Sequence, residues 1–115
     1  MNDYEIYHEA FQSKEDIIRE FDIPESTLEG AKILFAYYDQ GEYEGVAIVI
    51  LERDNQLYEV NGSHCSCFGL EEQWEEEETS YELLHIRTQT TTYKECYPNM
   101  GNALSNFVKS KIGAE

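Results

Sequence analysis

Residues 32–60 read KILFAYYDQGEYEGVAIVILERDNQLYEV. Three runs rich in apolar, aromatic and β-branched residues are broken by two clusters of turn formers. Lys32–Tyr38 is the first run, Tyr43–Glu52 the second and Leu57–Val60 the third. Asp39-Gln40-Gly41-Glu42 and Arg53-Asp54-Asn55-Gln56 separate them, and Asn61-Gly62 closes the third. β-branched and aromatic side chains fit a pleated, half-buried surface, and Gly, Asp and Asn accept tight-turn backbone. Connections this short join antiparallel neighbours, so the stretch predicts a three-stranded meander. The centre of the second run, VAIVIL, is continuously apolar rather than alternating. That marks it as the middle strand, covered on at least one face and partly on the other.

Helical signals lie on either side. Ser13 is followed by Lys14, Glu15 and Asp16, which reads as a cap with acids in the first turn. Ile17, Ile18 and Phe21 then form a stripe at helical spacing, and Asp22 to Pro24 stops it, giving a helix over about 13–21. Thr79-Ser80-Tyr81-Glu82 has the spacing of a capping box. It predicts a short helix ending near Arg87, with Tyr81, Leu84 and also Leu83 turned inward. Thr88–Tyr93 is threonine-rich and reads as a fourth strand or extended edge. Pro98-Asn99-Met100-Gly101 reads as a turn. Leu104, Phe107, Val108 and Ile112 then recur every three or four residues over Asn102–Ile112. Lys109 and Lys111 occupy the last turn of this helix, and Gly113 follows as its C-cap. The expected fold is α+β: a small antiparallel meander of three to four strands, with N-terminal, middle and C-terminal helices packed on one face. With 115 residues and no Pro/Gly/Ser linker, the expectation is a single domain over 1–115.

Charge bounds the function. The chain carries 24 acids and 8 bases, a formal net of −16. Residues 1–62 hold 15 acids and 4 bases; residues 63–115 hold 9 and 4. Such a surface repels nucleic acid and anionic membranes and attracts basic partners. Aromatic residues at 13% argue against disorder. No apolar run approaches the ~20 residues that span a bilayer, and MNDYEIYHEAF lacks the bases and apolar core of a signal peptide. A cytoplasmic location is expected, with three reduced cysteines.

Residues 62–82, GSHCSCFGLEEQWEEEETSYE, hold the chain's other unusual pattern. His64, Cys65, Cys67 and Cys96 offer the four nitrogen and sulfur ligands of a structural zinc site. The spacing, one C-x-C and a distant cysteine, departs from the usual pairs of C-x2–4-C, and buried packing is the stronger reading for these cysteines. Adjacent carboxylates disfavour the thiolate that redox or nucleophilic chemistry needs. The expectation is no cofactor, with zinc as the alternative. Glycosidase-type carboxylate pairs come from separate elements converging in a cleft, whereas these glutamates share one segment. No phosphate loop or G-x-S-x-G is present, and the chain reads as non-enzymatic, a small carboxylate-dependent enzyme being the alternative.

Glu71 to Glu78 place six glutamates around Trp74. A Trp amid carboxylates either anchors the segment to the core or is exposed as a contact for an Arg-rich surface. Glu72, Trp74, Glu75, Glu76 and Glu77 are the first partner-binding residues on this reading, with Asp39, Glu42 and Glu44 next. Carboxylates at alternate strand positions stand ~6–7 Å apart, near the spacing of phosphates along a strand. The implied partner is a basic nucleic-acid-binding protein or complex, with no nucleic acid or membrane bound directly. A homodimer through a strand edge or the C-terminal helix is compatible with the pattern.

The strings ILFAYYDQGEYEGVAIVILERDNQ and LYEVNGSHCSCFGLEEQWEEEETSYELL, from about Ile33 to Arg87, resemble a group of small acidic proteins of bacteriophages and other mobile elements. No catalytic role is established for that group, so the resemblance implies no site residues. Small size and strong acidity are also similar in composition to phage anti-CRISPR and anti-restriction proteins that mimic nucleic acid. Together the two likenesses imply an inhibitor of a host defence complex.

Overall fold

A computed structural model of the protein describes residues 6–9, 11–39, 45–64 and 69–112. The fold is α+β, and the chain divides into two compact units, residues 1–78 and 79–115. In the first unit β2 (Lys32–Asp39), β3 (Gly45–Arg53) and β4 (Gln56–His64) form the expected antiparallel meander. Two short strands, β1 (Ile6–Glu9) and β5 (Glu77–Thr79), extend it in the order β1-β2-β3-β4-β5. Neither is legible in the sequence, because four and three residues are too few to show alternation. β1 pairs with β2 in parallel, so the sheet is not wholly antiparallel as expected. A parallel pair needs a long crossover, and helix α1 (Lys14–Phe21) lies within it.

β3 is the central strand, paired on both sides. Ala47, Val49 and Leu51 point to one face and Ile48 and Ile50 to the other, and all five are buried. On the first face they join Ile33, Ala36 and Tyr38 of β2 and Val60 of β4. The register shifts between Ile33 and Phe35. The extra residue puts Ile33 and Ala36 on one face and Phe35 on the other; KILFAYY does not alternate because both faces of β2 are buried.

α1 covers the first face with Ile17 and Phe21. Asp16, in its first turn, accepts the Gln12 amide at 2.8 Å and pairs with Arg19 at 2.7 Å. The backbone bond to Gln12, with Arg19 beside it, holds its carboxyl below the usual range. Asp22 ends the helix in the left-handed region at φ 56°, a conformation Asp tolerates better than most residues. Phe21 needs depth. An ideal Cβ on Gly62 would stand 3.3 Å from Phe21 Cε1 and 3.1 Å from Leu70 Cδ2. Gly62 pairs with Ala47 across the sheet. Two small residues therefore open the recess that the ring and Leu70 fill.

In the second unit, α2 (Tyr81–Thr88) packs with α3 (Pro98–Ile112). Ser80 caps α2 by accepting the Leu83 amide at 3.2 Å, one residue later than the capping-box spacing places the cap. Leu84 is buried and Tyr81 meets Phe107 edge-on at 6.0 Å, as expected, but Leu83 is 53% exposed. Thr88–Tyr93 is not a strand. Thr88 Oγ1 donates to the His85 carbonyl and Thr90 Oγ1 to that of Arg87, each at 2.7 Å, so the hydroxyls satisfy carbonyls at the helix end. A π-helical turn follows at Thr92–Cys96. α3 begins at Pro98, and the segment read as a turn is its first turn, where proline's missing N–H costs nothing. Gly113, expected as its cap, lies outside the described residues.

Gly62→Ala should destabilise the protein by about 1–2 kcal/mol through overpacking against Leu70 and Phe21. Urea unfolding measures this, and an unchanged midpoint would show that the recess has slack.

Candidate functional site

The segment from Leu70 to Thr79 leaves β4 and returns as β5. Three side chains pin it. Gln73 imitates a strand partner: its Oε1 accepts the Ser63 amide at 2.9 Å and its Nε2 donates to the Ser63 carbonyl at 2.7 Å. The same Nε2 donates to the Gly69 carbonyl at 2.8 Å. Trp74 is half-buried, edge-on to Phe21 with centroids 5.1 Å apart. Its indole N–H donates to Glu76 Oε2 at 3.0 Å. Glu76 is gripped by Arg53, whose Nε and Nη2 reach its two oxygens at 3.0 and 2.9 Å.

Arg53 is a hub. Besides Glu76 it donates to the carbonyls of Glu29 at 2.7 Å and Thr27 at 2.6 Å. One guanidinium therefore ties the end of β3 to the 3₁₀ turn (Glu25–Leu28), the residue after it and the acidic segment. The bidentate bond to Arg53, assisted by Trp74, holds the Glu76 carboxyl below its ordinary range. The same bond raises the Arg53 value.

The predicted residues therefore divide. Trp74 and Glu76 face inward and position the segment. Glu72, Glu75, Glu77 and Glu78 are exposed, and among the described residues none of these four forms an ion pair. Glu71 is exposed too, but accepts the Gly69 amide at 3.1 Å. Asp39 is half-buried at the end of β2, while Glu42 and Glu44 lie outside the described residues. His64 ends β4 with its ring edge-on to Tyr38 at 5.7 Å. Cys65 and Cys67 lie outside the described residues, as does the side chain of Cys96. Among the described residues no three His, Cys, Asp or Glu side chains are grouped to hold a metal.

Arg53 and Gln73 are not evident from the sequence, where one reads as a turn residue and the other as a break in a glutamate run. The available signal is scarcity: residues 1–78 contain four bases, so each is a focus for the surrounding carboxylates. Glu72 has φ 65°, the left-handed region that glutamate rarely adopts.

No family model, curated protein or solved structure matches the chain. No helix among the described residues is long and apolar enough to cross a membrane.

Glu76→Gln should destabilise the protein by about 1.5–3 kcal/mol at neutral pH, the range for hydrogen bonds to charged groups. A carboxyl depressed on folding stabilises above its unfolded value, here 4.5, and that contribution fades as pH falls through the lower folded value. The gap between wild type and Glu76→Gln should therefore narrow in acid. Thermal melts across pH measure it; a gap independent of pH would remove the ion pair from the account.

Proposed function

We propose that this protein is a non-enzymatic interaction protein of a bacteriophage or mobile element. On this reading it inhibits a basic, nucleic-acid-handling host defence complex inside the bacterial cytoplasm, as anti-CRISPR and anti-restriction nucleic-acid mimics do. The observation that carries the reading is how the charge is distributed and held. Residues 1–78 contain 21 acids and 4 bases, and residues 79–115 contain 3 and 4. The first unit alone is thus at −17 and the second at +1. Among the described residues Arg19 pairs with Asp16 and Glu20, and Arg53 with Glu76.

A charged surface recognises a partner better when its geometry is set in advance, because less conformational entropy is lost on binding. The Gln73, Trp74 and Glu76 anchors supply that order beneath Glu72, Glu75, Glu77 and Glu78. The left-handed backbone at Glu72 is a further sign. Glycine would be less strained there, and strained conformations cluster at functional sites. The contact set of this proposal is therefore Glu72, Glu75, Glu77 and Glu78, with Trp74 and Glu76 acting from below. An acidic surface steers basic partners at long range, so association should be fast and sensitive to salt.

A pull-down from host lysate at low and high salt, read by mass spectrometry, tests the reading. A basic nucleic-acid-binding complex retained only at low salt is expected. Changing Glu72, Glu75 and Glu77 together to Lys should abolish its capture while leaving the fold intact, since all three are exposed. Capture that survives the triple change would move the contact elsewhere. Glu72→Gly should have two opposed effects: stability up by about 0.5–1 kcal/mol as left-handed strain is relieved, and partner affinity down. Urea unfolding and a binding titration on the same variant separate them.

A further inference from the structure

The second unit contains a cleft with a chemistry opposite to that of the acidic segment. Its volume is about 350 Å³, within the range of small-molecule sites. Gln89 from the end of α2, Lys94 from the π-helical turn, and Gly101, Asn102 and Ser105 from α3 line it. Among the described residues the charged group in this lining is the Lys94 ammonium, with no carboxylate beside it in the lining, in a chain with 24 acids.

The backbone is arranged around it. A π turn carries an extra residue with poorer hydrogen-bond geometry, and such turns recur at functional sites. Here it turns Tyr93 inward, 8% exposed, and leaves Lys94 exposed beside the cleft. The turn lies flush on α3: an ideal Cβ on Gly101 would stand 3.0 Å from the Tyr93 carbonyl oxygen. Glycine thus gives the cleft a wall of backbone. Asn102 and Ser105 are three residues apart on the helix and share a face, so an amide and a hydroxyl meet the same space. A lysine ammonium with uncharged amide and hydroxyl donors is the usual equipment for an oxyanion.

We propose that this cleft binds a small molecule through a compact oxyanion head, a carboxylate or a phosphate. Lys94 supplies the charge, and Asn102, Ser105 and Gln89 supply hydrogen bonds. The proposal is independent of the acidic surface and its partner.

Amide NMR titrations of the whole chain with inorganic phosphate and, separately, with succinate test it. Saturable shifts at Lys94, Gly101, Asn102 and Ser105, with a Kd of about 1 mM or tighter, are expected from at least one ligand. Lys94→Gln changes an exposed side chain, so the fold should survive, and binding should weaken about tenfold or more, as expected for loss of a charge-assisted contact. Tighter binding of phosphate would point to a phosphorylated ligand, tighter binding of succinate to a carboxylic acid. No saturable shift from either ligand, or equal affinity in Lys94→Gln, would overturn the proposal.

Discussion

Phe21 is fully buried, and the first unit is organised around it. It closes α1 onto the sheet, stacks with Phe11 at 6.2 Å and takes the edge of Trp74 at 5.1 Å. It can sit so deep only because Gly62 and its cross-strand neighbour Ala47 present almost no side chain. Burying a ring of this size contributes roughly 2–3 kcal/mol. Its larger consequence is positional. The core reaches up through one aromatic contact and fixes the height of the acidic segment above the sheet.

From that contact the polar architecture follows. With Trp74 seated on Phe21, its indole N–H meets Glu76, and Glu76 meets Arg53. Arg53 places two further donors on backbone carbonyls near the 3₁₀ turn. In the acidic run the glutamate drawn inward is Glu76, the one that meets Arg53. The others stay in water, where a carboxylate is cheapest to keep charged. A chain of −16 thus arranges its repulsion so that one scarce arginine orders the densest run of acid.

Charge segregation has the same logic at larger scale. Splitting the sequence at residue 62 spreads the acids across both halves; splitting it at the structural boundary after residue 78 places all but three in the first unit. The second unit, near neutrality, can offer an ammonium beside a cleft to an anion, which a uniformly acidic surface would repel. The two proposed activities therefore draw on separate electrostatic environments within one chain.

The meander, its central strand, α1, the core stripe of α3 and the acidic run are legible from the residues alone. Each is written in local periodicity, in turn residues or in composition, which need no distant partner to be read. The rest depends on contacts between residues far apart in the chain. β1 and β5 exist because longer strands offer them an edge, and the threonines after α2 close a helix because carbonyls are left at its end. Trp74 turns inward because Phe21, fifty-three positions earlier, waits in a recess made by Gly62. Glu76 differs from Glu75 and Glu77 in reaching Arg53 and the Trp74 indole. Which of several identical side chains is buried depends on long-range geometry, and a run of equal letters carries no trace of it.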